Sequence, residues 1–129
     1  MEARRLLFVQ FTLLAVIAFL YFLGFWLYLH WVFWWYDILL HFLGGVWVAL
    51  AARWIFALKG IVPPGSWILA LVIVVGLLWE LFEVVVGMPR ESNYLFDTSL
   101  DLLMDVLGSI AALMFLGSAR GGEKGALPR

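Results

Sequence analysis

Seven ionisable side chains of this sequence stand inside, or at the edge of, long apolar stretches. Each carboxylate there costs several kcal/mol in hydrocarbon unless it is paired or hydrated, so the group requires an explanation. One imidazole among six carboxylates is an oxygen-rich donor set, which favours Mg²⁺, Mn²⁺ or Ca²⁺ over Zn²⁺ or Fe²⁺. The seven residues, all candidate metal ligands, are Asp37, His41, Glu80, Glu83, Asp97, Asp101 and Asp105.

Charge balance explains why cations are expected at these residues. The basic partners available to six carboxylates are His41 and Arg90, so the excess negative charge cannot remain ionised in a low dielectric. The neutralising cations are either protons shared among coupled carboxyl groups or one or two metal ions. In an enzyme, Glu83 would be the general base, His41 a second catalytic group and ligand, and Arg90 the contact for an anionic headgroup.

Other chemistries lack support in the sequence. The chain contains no cysteine, which removes disulfides, thiolate metal sites and cysteine nucleophiles. Ser109 and Thr98 have no base at usable spacing, and the glycine pair Gly44 and Gly45 forms no phosphate-binding motif. We therefore expect no nucleotide or haem cofactor.

The elements that must position these residues are four apolar stretches, each long enough to cross a bilayer. With 66% hydrophobic residues and a mean hydropathy of +1.06, the chain is predicted to be all-α and integral to a membrane. Short connections predict an antiparallel four-helix bundle forming a single domain, residues 1–117, and a disordered cytoplasmic tail, residues 118–129. The predicted spans are about 6–29, 37–58, 66–87 and 97–117.

Spacing and depth both bring the polar residues together. Members within one span are three or four residues apart, which places each set on one helix face. At a rise of 1.5 Å per residue, His41, Glu83 and Asp101 each lie roughly 6 Å below the helix ends. Glu80 and Asp105 lie roughly 10–12 Å down. We expect spans two, three and four to surround the cluster, with span one as a lipid-facing buttress.

Simpler structural roles compete with a functional site. Asp37 and Asp97 open helices and are suitable N-caps, and His41 alone could be a hydrogen-bonded core residue. Capping does not explain acids one to three turns inside apolar helices, which are Glu80, Glu83, Asp101 and Asp105. This second set favours a functional site.

The distribution of charged and aromatic residues predicts the orientation. All Lys and Arg residues except Arg90 fall on one side of the predicted topology, so both termini are expected in the cytoplasm and the protein in the cell (inner) membrane. The near-neutral charge, −1, argues against a nucleic-acid partner. Six aromatic residues at the outer end of the first hairpin indicate an interfacial belt or, alternatively, a wall for a lipid substrate: Trp26, Tyr28, Trp31, Trp34, Trp35 and Tyr36.

A three-part motif resembles a known family. It reads Asp37-x-x-x-His41-Phe42-x-x-Gly45, then Trp79-Glu80-x-x-Glu83, then Asp97-Thr98-x-x-Asp101-x-x-x-Asp105-x-x-Gly108. This pattern is similar to the YjdF-like inner membrane proteins of unknown function and, more distantly, to VanZ-like proteins. The VanZ-like resemblance implies a role near lipid-linked cell-wall chemistry. The resemblance also supports six motif positions as the site: Asp37, His41, Glu80, Glu83, Asp101 and Asp105.

Three functions remain open at this point. The first is a metal-dependent hydrolase or transferase acting on a lipid or lipid-linked substrate in the outer leaflet. The second is a transporter or channel subunit that handles protons or a divalent cation. Against it, Arg53 is the only charge in the inner half of the spans. The third is a structural scaffold. Because all three remain open, the sequence leaves both enzymes and non-enzymes as candidates. Each of them is compatible with a homodimer.

Overall fold

The described part of the chain folds into four long helices and one short helix. The computed structural model describes residues 3–88 and 93–125, with side chains up to residue 117. The predicted all-helical class is confirmed, and no strand occurs within the described ranges. The helices are α1 (Ala3–Trp26), α2 (Leu29–Val32), α3 (Trp35–Leu58), α4 (Gly65–Val86) and α5 (Tyr94–Gly125).

Each of the four long helices contains a stretch long and apolar enough to span a membrane. The segments are Ala3–Trp26, Trp35–Leu58, Gly65–Val86 and Tyr94–Gly117. Few residues of α1 are buried, and large apolar side chains are exposed along all four helices. In a bilayer these faces contact lipid, which explains why so many large apolar side chains are exposed on the outside of the bundle.

The first and the last helix differ most from the sequence-based prediction. The first helix runs from Ala3 to Trp26 rather than over 6–29, because Tyr28 adopts a left-handed backbone conformation (φ 58°) that ends the helix and leads into α2. At the other end of the chain, α5 remains helical to Gly125, within the segment expected to be a disordered tail. Extending an existing helix requires no new nucleus, so the backbone continues beyond the apolar span. The last residues, 126–129, lie outside the described part.

The N-cap alternative for two acidic residues is not observed. The residue preceding α3 is Trp34, and Asp37 lies inside the first turn. Asn93 precedes α5, where its Oδ1 accepts the backbone N–H of Phe96 at 3.4 Å, and Asp97 also lies inside the first turn. Both acids instead occupy the positive end of a helix dipole.

Helix α3 lies at the centre of the bundle. It packs most extensively against α5 and also contacts α1 and α4, while α4 packs on α5. Glycines allow the closest approach: an added Cβ at Gly45 would overlap the backbone carbonyl of Asp105, and one at Gly108 would overlap that of Phe42. Small residues of this kind permit close helix packing in membranes.

The two ends of the bundle differ in character. We call the end with α2 and the adjacent aromatic residues (26–36) the aromatic end, and the opposite end the termini end. Towards the termini end, the interior is a buried apolar core from all four long helices. This core consists of Leu6, Ala49, Leu50, Ala52, Ile68, Val72, Ala112 and Leu116.

Candidate metal centre

Three helices each contribute one buried ionisable side chain to a common point. His41 of α3, Glu80 of α4 and Asp101 of α5 offer ligand atoms that all lie within 4.8 Å of one another. Their relative exposures are 6%, 5% and 2%, respectively. The buried acidic and histidine group expected from the sequence is therefore present. These three donors are of the types that hold divalent cations.

A second group shares the same histidine. Asp37, His41 and Glu83 also have ligand atoms within 4.8 Å of one another, and Asp37 is only partly buried. The two groups lie next to each other along the bundle, with the second nearer the aromatic end. Both groups include His41. The simpler interpretation is therefore one ion with two neighbouring positions, rather than two separate ion sites.

Asp105 contacts the imidazole of His41 at Nδ1. Its Oδ2 lies 3.4 Å from Nδ1 of His41, which is at the long end for a hydrogen bond. Gly76 of α4 is packed so closely on Asp105 that an added Cβ would overlap Oδ2. Asp105 thus lies between glycine faces of α3 and α4. Its position suits a carboxylate that accepts N–H from Nδ1 and orients the ring.

The remaining nitrogen of His41 is directed into the cluster. Nε2 is fully buried, forms no hydrogen bond to any described residue and lies 3.7 Å from Oε1 of Glu80. This separation is too long for a hydrogen bond. In the tautomer that carries its proton on Nδ1, facing Asp105, the lone pair of Nε2 faces the carboxylate of Glu80. A buried nitrogen in this state lacks the partner that a bound cation would supply.

Two hydrogen-bond donors that sequence reasoning did not assign support the carboxylates. Thr98 Oγ1 donates to Oε2 of Glu80 at 2.7 Å, and Trp79 Nε1 donates to Oε1 of Glu83 at 2.8 Å. The Trp79–Glu83 pair was detectable as an i,i+4 spacing on one helix face. The Thr98 contact crosses between helices, so no local signal indicates it.

The structure does not place every predicted ligand in these two groups. Asp97 is partly buried and, like Asp105, belongs to neither group. Arg90, the predicted anion contact, lies outside the described residues. The ligand and catalytic roles of all the predicted site residues stay predictions, and for Asp97, Asp105 and Arg90 the two groups add no geometric support.

A cavity of about 300 Å³ opens beside the centre, between α1 and α4. His41, Asp37 and Asp105 contribute to its wall, and the remaining lining is almost entirely apolar or aromatic. Such a combination, mainly apolar with a few convergent polar groups, is typical of small-molecule sites.

The aromatic end contains both lipid-facing and packed rings. Trp26 and Trp34 are strongly exposed (78% and 71%), as an interfacial belt requires. Tyr36 is buried and its hydroxyl donates to the carbonyl of Leu20 at 2.5 Å, joining α3 to α1. The belt interpretation fits the exposed rings, whereas Tyr36 has a packing role.

Fold and site together define a polytopic membrane protein with four apolar helices around a buried acidic and histidine group. Residues 4–121 match the model of a family described as a predicted membrane protein family, DUF2238, and the chain belongs to that family. The match is compatible with the YjdF-like resemblance, whereas the VanZ-like relation stays a prediction. No curated protein and no solved structure matched the chain.

Proposed function

We propose that the protein binds a divalent cation through His41, Glu80 and Asp101 and uses it in hydrolase or transferase chemistry on a lipid or lipid-linked substrate. The observation that carries the proposal is the buried Nε2 of His41, which has no hydrogen-bond partner among the described residues, in a histidine grouped with Glu80 and Asp101. Three protein ligands leave coordination positions open, as catalytic metal sites do.

The ligand chemistry favours Mg²⁺, Mn²⁺ or Ca²⁺, because two of the three donors are carboxylates. A divalent cation supplies Lewis-acid polarisation of a carbonyl or phosphoryl oxygen when it is bound. Glu83, held by the indole of Trp79, is placed one helical turn from Glu80 and serves as the general base. Arg90, which follows α4 in the sequence, is predicted to contact the anionic headgroup.

Transport is the weaker alternative because of the composition of the bundle interior between the candidate metal centre and the termini end. Ser109, one turn beyond Asp105, is fully buried and its hydroxyl donates to the carbonyl of Val106 at 2.7 Å. From there to the termini end, the interior is mainly the apolar core defined above. Gln10 of α1 is a buried polar side chain in this half, but no continuous polar lining is seen in the described part of the chain. An ion or proton path across the bilayer needs such a lining.

The orientation of the site follows from the positive-inside rule. Basic residues cluster at the termini end, which we place in the cytoplasm of the cell (inner) membrane. The centre then lies in the outer half of the bilayer. A homodimer is compatible with this arrangement, and its existence is a separate prediction.

Elemental analysis of the purified protein tests the proposal. After equilibration with Mg²⁺, Mn²⁺, Ca²⁺ and Zn²⁺ in turn, we expect about one ion per chain in the native protein and none in the Glu80→Gln/Asp101→Asn variant. Ser109→Ala is the matched control, because it changes a buried polar side chain of the same helix, α5, that belongs to neither ligand group. An absence of metal in the native protein under all conditions would contradict the proposal. Protons would then neutralise the cluster.

A further inference from the structure

The cavity between α1 and α4 has the shape and polarity of a site for one hydrocarbon chain. Helices α1 and α4 make no close backbone contact within the described residues, so the bundle is open on this side at membrane depth. Side chains of α1, α3 and α4 form its apolar wall. These include Leu14, Ile17, Ala18, Trp47, Val72 and Val75.

The polarity of the cavity changes along its length in the same sense as that of a membrane lipid. Asp37 and His41 line it near the aromatic end, and Val48 lines it seven residues further along α3. Seven residues of helix correspond to roughly 10 Å. The polar groups thus lie nearer the membrane surface, and the apolar part extends towards the bilayer centre.

Aromatic contacts close the cavity at its polar end. The rings of Tyr21 and Trp79 meet edge to face with centroids 5.9 Å apart, and the Tyr21 hydroxyl lies 3.9 Å from Sδ of Met88. These contacts join α1 to α4 and to the segment just after it, near the aromatic end. Access below them is lateral, from the hydrocarbon region, where lipid chains are the available occupants.

We propose that this cavity binds a single hydrocarbon chain of a membrane lipid and brings the oxygen-rich linkage at the head of that chain to His41, Asp37 and Asp105. A helix of a partner protein, about 10–12 Å in diameter, would not fit in a volume of this size. The chain site specifies the substrate class of the proposed metal-dependent chemistry, and in this respect it depends on the proposed function. Chain binding itself does not require the metal.

Photo-crosslinking tests the chain site. The full protein is reconstituted in vesicles of phosphatidylethanolamine and phosphatidylglycerol that contain a trace of phospholipid with a diazirine midway along one acyl chain. We expect mass spectrometry to find labelling concentrated on Leu14, Ile17 and Val75 in the cavity. Phe115 and Val85, which are exposed elsewhere on the bundle, report ordinary lipid contact.

Two variants close the cavity by different routes. Ala18→Trp fills it from α1, and its matched control is Ala15→Trp, because Ala15 is exposed on α1 but does not line the cavity. Gly44→Leu fills it from α3, where an added Cβ would meet only Asp105 Oδ1, at 3.9 Å. We expect each closing variant to lower cavity labelling about tenfold, equivalent to about 1.4 kcal/mol. Ala15→Trp should leave it unchanged.

The outcomes separate this inference from the proposed function. Labelling spread evenly over exposed residues, or unchanged in both closing variants, would overturn the chain site even if the native protein binds a metal ion. Concentrated labelling that the closing variants remove would support the chain site even if no metal is found. Ala18→Trp should keep the metal content of the native protein, because Ala18 belongs to neither ligand group.

Discussion

At the scale of single residues, one question is whether Asp105 orients His41 or binds the metal ion directly. Its contact with Nδ1 of His41 predicts that Asp105→Asn weakens metal binding about 10–100-fold, the usual effect of losing such an orienting partner. Asp101→Asn should abolish binding. Calorimetric titration of the metal-free protein with Mn²⁺ measures both, with Ser109→Ala, one turn further along α5, as control. If Asp105→Asn abolishes binding as completely as Asp101→Asn, Asp105 is a direct ligand, as the sequence suggested.

The Thr98–Glu80 hydrogen bond gives a second test at this scale. Thr98→Val keeps the shape of the side chain but leaves Oε2 of Glu80 without this donor. We expect the free energy of unfolding to fall by about 1.5–3 kcal/mol, the range for hydrogen bonds to charged groups. Denaturant unfolding in detergent micelles measures the change.

Ser99→Ala is the matched control for Thr98→Val. Ser99 is exposed, and its hydroxyl donates to the carbonyl of Leu95 in its own helix. Its removal should change stability by less than about 0.5 kcal/mol. Equal effects of the two substitutions would show that Thr98 contributes no more than an ordinary helix-surface hydroxyl.

At the scale of helices, alanine substitutions at two adjacent glycines in α3 distinguish the effect of helix packing on stability from that of helix propensity. An added Cβ at Gly45 would overlap the backbone of α5, whereas one at Gly44 would meet only Oδ1 of Asp105, at an ordinary contact distance of 3.9 Å. Both substitutions to alanine gain the same propensity, about 1 kcal/mol. We expect Gly45→Ala to be destabilising relative to Gly44→Ala by about 1–3 kcal/mol, because α3 and α5 must move apart. Thermal unfolding in micelles compares them, and equal stability would contradict the close α3–α5 crossing.

At the scale of the whole molecule, the topology has a direct test because the native chain contains no cysteine. Trp34 at the aromatic end and Ile61 at the termini end are both exposed. In intact cells, we expect a membrane-impermeant maleimide to label Trp34→Cys but not Ile61→Cys, which should react only after permeabilisation. The reverse pattern would place the termini outside and the metal centre in the inner half of the bilayer.

Hydropathy and residue spacing already determined the membrane class, the four spans and the depth of the polar residues, because these depend on the 1.5 Å rise and the local helical period. What only the tertiary structure decided is how each helix is rotated and which neighbours it meets. Close packing at Gly45 and Gly108 turns α3 and α5 so that His41 faces Asp101 and Glu80 on one side and Asp105 on the other. The cavity between α1 and α4 likewise depends on contacts between distant segments, which no local pattern in the sequence records.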